Sequence, residues 1–255
     1  MAKRIVFLLR RRPDLTRQQF QRIWWEEHAP LVAGYAACLG IVRYQQVHTT
    51  VDRRPDALEA FDGSAELWVD PRRAVGTTGE RADASAALLA DEQRFIDLGA
   101  SPIWVAEEVL LRQGPQRQAT DGETRITAAL RRAQGTTRAE FAHHWRYVHG
   151  PLALANHDVF GFHHYVQLHT PDDAESHPLR RERNAPEPFD GVSEIIVEAV
   201  SPSAERARSV RAMIMEDEAR FVDYGASAVY EGVIRVVVDR TSIHGETASR
   251  PGIST

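Results

Sequence analysis

The first half of the chain alternates between two kinds of hydrophobic pattern. Short apolar or alternating segments predict strands, and apolar residues three or four positions apart predict helices. A capping box of Thr16 and Gln19 marks the start of the first helix, and Pro30 predicts its end at about the preceding residue. The patterns predict strands over residues 4–10, 40–49, 64–70 and 103–110, and a second helix over residues 83–98.

The second half of the chain repeats this order. Shifted by 121 positions, residues 4–49 align without a gap with residues 125–170, and 17 of the 46 pairs are identical. Average residue usage would give about three identical pairs by chance. The match resumes after a longer loop in the second copy, which predicts strands over residues 125–131, 161–170, 192–199 and 228–238, with a second helix over residues 203–224.

The order βαββαβ, present twice, predicts an α+β fold of two ferredoxin-like repeats. Each repeat would form a four-stranded antiparallel sheet with helices on one face only. Because the bare face of each sheet needs cover, we expect the two sheets to form one intramolecular pseudo-dimeric αβ barrel. The predicted boundaries are repeat 1 at 1–112, a linker at 113–123, repeat 2 at 124–238 and a disordered tail at 239–255.

Composition narrows the class of protein. The chain of 255 residues is 43% hydrophobic and 26% charged, as in soluble globular proteins. The run Ile5–Leu9 is too short for a membrane span or a signal peptide, and the single Cys38 excludes an internal disulfide and suits a reducing cytoplasm. A net charge of −5 argues weakly against a nucleic-acid partner. We expect a cytoplasmic protein with neither a nucleic-acid nor a membrane partner.

One histidine ends the first helix of each repeat, in the pattern Phe-x3-Trp-x3-His-x-Pro-Leu. At 100° per residue, His28 flanks the apolar stripe that contains Phe20 and Trp24. The last turn of a helix also favours the imidazolium form. His28 and its counterpart His149 are therefore candidates for general acid or base catalysis, although each could equally cap its helix end.

The following strand carries polar residues on one face. Alternation brings Tyr44, Gln46 and His48 together in repeat 1. In a dry core, each unpaired polar group would cost about 1–3 kcal/mol. A wet cleft between sheet and helices explains the pattern better, and a solvent-exposed face is the alternative. In repeat 2 the same face carries His163, Tyr165, Gln167 and His169.

Acidic residues recur in matched positions. Glu66 and Glu194 lie on the third strands, and Asp91 and Asp217 share the apolar face of the second helices. Such an acid could orient a histidine or bind a substrate, or pair with a strand arginine or another helix. Repeat 2 also holds eight of the eleven histidines, so either one half keeps a full site or the two sites have diverged. Their spacing matches no familiar metal motif, and we predict no metal site.

These motifs resemble the EthD family of the dimeric αβ-barrel superfamily. The resemblance rests on Thr-x3-Phe-x3-Trp-x3-His-x-Pro-Leu, Tyr-x-Gln-x-His and Asp-Glu-x-x-Phe-x-Asp, each present twice. It implies a pocket between each sheet and its own helices, with the family histidine at His28 and His149. It also implies chemistry with few or no cofactors on small aromatic or polyketide-like molecules of secondary metabolism, although some relatives bind haem.

Our leading hypothesis is a cofactor-independent lyase, isomerase or cyclase that uses histidine acid–base catalysis. Cofactorless oxygenation of an electron-rich phenol or anthrone is one alternative, and a haem- or ligand-binding barrel with His149 or His169 as axial ligand is another. We expect either a monomer with an internal pseudo-dimer or a homodimer. The predicted catalytic residues are His28, His149, His48 and His169. The predicted substrate-binding residues are Tyr44, Tyr165, Gln46, Gln167, Trp24, Trp145 and His163.

Overall fold

The computed structural model describes residues 2–54, 58–113 and 120–241. The first repeat has the predicted order of elements, with a π-helical turn inside its first helix. Its strands are β1 (Lys3–Leu9), β2 (Ile41–Asp52), β3 (Gly63–Val69) and β4 (Ile103–Arg112). Its helical elements are α1 (Arg17–Ile23), the π-helical turn Trp24–His28, α2 (Ala29–Leu39) and α3 (Thr78–Glu92).

The second repeat follows the same plan, except that two helices, α5 and α6, stand where the first repeat has α2, and its longer loop carries a further helix, α7. Its strands are β5 (Thr124–Arg132), β6 (Phe162–His169), β7 (Gly191–Val197) and β8 (Val222–Asp239). Its helical elements are α4 (Arg138–His144), the π-helical turn Trp145–His149, α5 (Gly150–Ala155), α6 (His157–Phe160), α7 (Pro178–Arg183) and α8 (Ala204–Glu218).

The eight strands close into one barrel in the order β1-β3-β2-β8-β5-β7-β6-β4. Each repeat contributes four neighbouring strands, and the antiparallel pairs β2–β8 and β4–β6 join the repeats. The matched residues Phe61 and Phe189 meet edge to face with ring centroids 5.7 Å apart. The predicted fold of two ferredoxin-like repeats in one pseudo-dimeric αβ barrel is therefore confirmed.

The barrel interior combines an apolar layer with a cluster of buried charges. Arg4 and Arg125, at matched positions in the repeats, both contact Glu66 and Glu194. All four side chains are buried. The glutamates therefore pair with strand arginines, one of the alternatives left open by the sequence. Burial raises the pKa of Glu194, whereas Arg125 and Arg4 outweigh burial at Glu66 and lower the pKa of that carboxyl.

The first helix of each repeat begins as predicted and runs further than predicted. Thr16 and Thr137 form the capping boxes. The prediction that Pro30 and Pro151 end the helix is wrong, because the chain continues into α2 and α5. In the π-helical turn the Ala29 N–H donates to the Trp24 carbonyl, five residues back. The α-helix restarts there, so each proline lies in a first turn, where its missing donor is not needed.

The second helix of each repeat ends six residues earlier than predicted, at Glu92 and Glu218. The apolar spacing continues to Phe95 and Phe221, but these rings are delivered by the chain as it leaves the helix. The carbonyl of Phe95 accepts from the Arg12 N–H, and that of Phe221 accepts from the Ala133 N–H. These hydrogen bonds draw the chain towards the sheet and end the helix.

The predicted domain boundaries stay a prediction. Residues 114–119 of the predicted linker and 242–255 of the predicted tail lie outside the described residues. Asp239, the first residue of that predicted tail, is still the last residue of β8. Within the described ranges, no helix combines the length and hydropathy that a membrane span requires.

Candidate active site

A cavity of about 190 Å³ lies between the sheet of the first repeat and its helices. Its wall is largely apolar, and polar or charged side chains interrupt it at His28, Tyr44, Ser85, Glu92, Glu182 and Arg183. An engineered cavity of about 150 Å³ with apolar walls binds benzene. The cavity volume therefore suits a molecule of one or two rings. The apolar wall includes Ile5, Phe7, Leu9, Val32, Ile41, Leu67 and Leu88.

His28 is anchored at one nitrogen. Its Nδ1 donates to Oδ2 of Asp91 at 2.8 Å, and Arg94 donates to the other oxygen of Asp91 at 2.6 Å. Phe95 packs against the imidazole with ring centroids 5.3 Å apart. The Nε2 of His28 has no hydrogen-bond partner among the described residues, and the ring lines the cavity. Asp91 thus orients the histidine, the other alternative that the sequence left open.

The polar row of β2 forms a chain of hydrogen bonds. Gln46 Nε2 donates to the Trp24 carbonyl at 3.1 Å and to the Tyr44 hydroxyl at 2.8 Å. The Tyr44 oxygen also accepts from the Trp24 indole at 3.2 Å. Because this oxygen accepts two hydrogen bonds, the hydroxyl proton of Tyr44 remains to be donated. Burial raises the pKa of Tyr44, so the hydroxyl stays protonated at neutral pH.

His48 lies at the far end of this row. Its Nε2 donates to Oε1 of Gln46 at 2.7 Å, and its ring stacks on Trp24 with centroids 4.7 Å apart. Burial, with a smaller effect from Arg235, lowers the pKa of His48 to about 3. All three residues of the row are buried. The row is therefore a buried, hydrogen-bonded network and not a solvent-exposed face, and Tyr44 at one end of it lines the cavity between sheet and helices.

The second repeat reproduces this network. Gln167 donates to the Trp145 carbonyl at 3.0 Å and to the Tyr165 hydroxyl at 3.2 Å. His169 Nε2 donates to Gln167 at 3.0 Å, and its ring lies 4.6 Å from that of Trp145. Burial lowers the pKa of His169 to about 4. The Tyr-x-Gln-x-His motif thus pairs the strand with the π-helical turn in both repeats.

The histidine dyad of the second repeat has an additional member. Asp217 accepts from His149 Nδ1 at 2.9 Å and from His144 Nε2 at 2.8 Å. The first repeat has Ile23 at the position of His144. The Nε2 of His149 lies 3.9 Å from Oε1 of Glu218. Asp217 is therefore shared between two imidazoles, whereas Asp91 contacts one.

Larger side chains pack the helix layer of the second repeat. Phe160 and Phe162 occupy the positions of Leu39 and Ile41, which line the cavity of the first repeat. The two phenylalanine rings stack with centroids 5.1 Å apart, and Phe162 lies 5.5 Å from Tyr165. Aromatic rings therefore occupy positions that leave room for a ligand in the first repeat.

The structure brings together only some of the predicted site residues. His28, Tyr44 and Trp24 line the same cavity, while Gln46 and His48 lie behind its wall. His163 lies apart, partly exposed at the start of β6, with its Nδ1 3.8 Å from Glu198. Sequence reasoning did not single out Glu92 and Arg183, two cavity residues. The one signal was the longer loop of repeat 2, which contains Arg183.

The residues do not fit the haem alternative. His169 is already paired with Gln167, and the Nε2 of His149 faces a carboxylate. The cavity that contains His28 has room for one or two rings and is too small for a porphyrin. Across residues 2–54, 58–113 and 120–241, no group of three or more His, Cys, Asp or Glu side chains could hold a metal ion.

Comparison with known proteins identifies the repeated unit. A family model of the EthD domain matches the chain twice, over residues 12–99 and 133–225, which together exceed half of the chain. The chain belongs to the EthD family. The predicted tandem of EthD domains in a dimeric αβ-barrel fold is confirmed. Among curated proteins, none matches the chain.

The tandem EthD protein also resembles solved structures at low sequence identity. A proposed monooxygenase from Lactobacillus acidophilus NCFM is 10% identical, with 94% of this chain and 96% of that chain covered and a TM-score of 0.46. One from Fusobacterium nucleatum is 10% identical, with 92% and 93% covered and a TM-score of 0.48. A mutant chlorite dismutase from Candidatus Nitrospira defluvii is 11% identical, with 90% and 91% covered and a TM-score of 0.44. Similarities this low give no information about the reaction.

Proposed function

We propose that the cavity of the first repeat is the active site of a cofactor-independent enzyme. It would act as a lyase, isomerase or cyclase that moves protons on a small aromatic or polyketide-like molecule. The observation that carries this proposal is His28, whose Nδ1 is bonded to Asp91 while its Nε2 has no partner among the described residues of an apolar cavity. One anchored and one free nitrogen suit a histidine to act as a general base, because the anchor fixes the tautomer and the free nitrogen can take a proton.

In the proposed step, His28 Nε2 removes a proton from a carbon next to a substrate carbonyl. The electron pair of the broken C–H bond moves to the carbonyl oxygen and forms an enolate. The Asp91 carboxylate stabilises the imidazolium that results and keeps the ring in the reactive tautomer. Return of the proton to another carbon gives an isomer, and loss of a β-substituent with the electron pair gives a lyase product.

Tyr44 supplies the hydrogen bond to the developing oxyanion. Tyr44 lines the cavity, and its hydroxyl oxygen accepts hydrogen bonds from the Trp24 indole and the Gln46 amide, which leaves the hydroxyl proton to be donated. A preorganised donor at a developing charge contributes about 3–4 kcal/mol to a reaction barrier. We assign Gln46 and His48 to positioning, because they fix Tyr44 and the carbonyl of Trp24 from behind the wall.

A generic probe of proton abstraction tests this assignment without knowledge of the natural substrate. 5-Nitrobenzisoxazole is a neutral two-ring molecule that loses a C–H proton to a base and opens, by N–O cleavage, to a coloured cyanophenolate. We expect the wild-type protein to accelerate this reaction. His28→Ala should lower the rate by about a hundredfold or more, the typical contribution of a general base.

His149→Ala is the matched control, because His149 is the pseudo-equivalent histidine and is held by the same kind of carboxylate. Its rate should equal that of the wild type, and the double variant should behave as His28→Ala alone. Full turnover by His28→Ala, or no acceleration by a folded wild type, would rule out His28 as the base of this cavity.

A further inference from the structure

The first-repeat cavity is completed by the second repeat. Helix α7 of the β6–β7 loop supplies three of the residues that line it, Leu179, Glu182 and Arg183. The imidazole of His177 accepts from the Leu179 N–H at the start of this helix, and Asn184 ends it in the left-handed conformation at φ 48°. Residues from both repeats therefore decide what the cavity can hold.

Arg183 binds Glu92 across the boundary between the repeats. Its Nε donates to Oε2 at 2.7 Å and its Nη2 donates to Oε1 at 2.8 Å. Each side chain is 8% exposed, so the pair is almost fully shielded from water. Two parallel hydrogen bonds between a guanidinium and a carboxylate are the strongest geometry for such a pair. Both residues line the cavity, so the pair forms part of the surface that a ligand meets.

We propose that this pair makes the cavity selective for uncharged ligands, with Glu92 as the specificity-determining residue and Arg183, supplied by the second repeat, as the cation that Glu92 neutralises. An anion that enters an apolar cavity loses its hydration and needs a free cation in return. The guanidinium of Arg183 is not a free cation, because the Glu92 carboxylate already binds it and neutralises its charge. The inference rests on the proposed function only in that it concerns the same cavity.

The other ionisable groups at the cavity reinforce this selection. Glu182 carries a second negative charge on α7, and the anchored His28 is backed by the Asp91 carboxylate. No other cation is among the described residues that line the cavity. The charges that face a ligand are thus either paired or negative, and both conditions disfavour an anion.

The matching glutamate of the second repeat has no arginine partner among the described residues. Glu218, which corresponds to Glu92, accepts from the Tyr224 hydroxyl and lies 3.9 Å from Nε2 of His149. In the first repeat, Arg183 holds Glu92 in the ion pair, and His28 Nε2 keeps no carboxylate partner among the described residues. The pair therefore also leaves the reactive nitrogen of His28 open to a ligand.

Binding of two probes of matched shape tests the proposal. Near neutral pH, 2-naphthol is uncharged and 2-naphthoate is an anion. We expect the wild-type chain to bind 2-naphthol at least tenfold more tightly by calorimetry. Glu92→Gln should free the charge of Arg183 and tighten 2-naphthoate binding by about tenfold or more, with 2-naphthol affinity changed far less. Arg183→Gln should leave 2-naphthoate excluded.

Arg206→Gln is the control, because Arg206 binds Asp158 through the same two-bond geometry on an exposed surface of the second repeat. It should bind both probes as the wild type does. Equal affinity of the wild type for the two probes, or an unchanged preference in folded Glu92→Gln, would overturn the selectivity and leave the proposed function intact. Binding of neither probe by the wild type would contradict both.

Discussion

The two helix layers share one plan and differ in the side chains at the positions that line the cavity of the first. Each has a π-helical turn, a histidine bonded to an aspartate, and a Tyr–Gln–His row that holds the tryptophan carbonyl. The first layer surrounds a cavity of about 190 Å³. In the second, Phe160 and Phe162 stack at the equivalent positions. Identical residues therefore build the layer, and residues that differ decide whether a ligand fits.

This division changes how the repeated motifs are interpreted. Gln46 and His48 recur in the second repeat because they join strand to helix in both layers. The groups that differ are Leu39, Ile41 and the partner of Glu92. A motif that is repeated within a chain is thus evidence for a shared scaffold. Evidence for a ligand site comes from the positions where the repeats depart from one another.

Among matched positions, we expect the largest difference in the cost of a substitution to stability at Glu66 and Glu194 in the barrel interior. Glu66 accepts from Arg4, Arg125, Gln45 and Ser64. Removal of one partner from a buried ion pair costs about 3–5 kcal/mol. We expect Glu66→Gln to lower the free energy of unfolding by that amount in denaturant titrations at neutral pH. Glu194→Gln should cost about 1 kcal/mol, because burial favours a protonated Glu194.

The pH dependence of the free energy of unfolding tests the same difference between Glu66 and Glu194 independently. Burial raises the pKa of Glu194 from an ordinary 4.5 to about 7. Its contribution to stability is complete below pH 4.5 and is lost as the pH rises through about 7. The wild type should therefore lose stability relative to Glu194→Gln over that interval. Equal costs for the two variants, with no pH-dependent difference, would mean that the glutamates share the charge equally.

The barrel was predictable from the sequence because the order of strands and helices that produces it occurs twice along the chain. Two sheets with one bare face each must cover one another, and this follows from the order of elements alone. The cavity of the first repeat was not predictable, because its lining includes Leu179, Glu182 and Arg183 of α7, which come from the second repeat and do not follow from the repeated order of elements. The continuation past Pro30 depends on a shifted hydrogen bond at Trp24, which local propensity does not show.

An intermediate effect is expected from making the second layer resemble the first. The double variant Phe160→Leu and Phe162→Ile places the cavity-lining residues of the first repeat in the second. We expect a loss of about 2 kcal/mol in the free energy of unfolding, because two partly buried rings lose contacts. In return, calorimetry should detect a second bound equivalent of 2-naphthol. A folded double variant that still binds one equivalent would show that other residues close this layer.

We expect the smallest effect on stability at the two aspartates that bind the helix histidines, Asp91 and Asp217. Asp217 accepts from two imidazoles, and Asp91 accepts from His28 and the largely exposed Arg94. Asp217→Asn should lower the free energy of unfolding by about 1 kcal/mol, the usual net value of one hydrogen bond, because the amide keeps only one of the two accepting oxygens. Asp91→Asn should cost less stability, yet lower turnover of 5-nitrobenzisoxazole at least tenfold through the misplaced His28 tautomer.

A titration to low pH tests whether the negative charge of Asp217 causes the loss of stability in Asp217→Asn. Burial opposes its ionisation, but hydrogen bonds from His144 and His149 outweigh burial and lower the pKa of Asp217 from an ordinary 3.8. A carboxyl with a lowered pKa stabilises the fold above its ordinary pKa, and this contribution is lost as the pH falls through the folded value. The gap between wild type and Asp217→Asn should therefore be full at neutral pH and close below about pH 4. A gap that persists in acid would assign the effect to packing, and turnover lost in Asp217→Asn would place the reacting histidine in the second repeat.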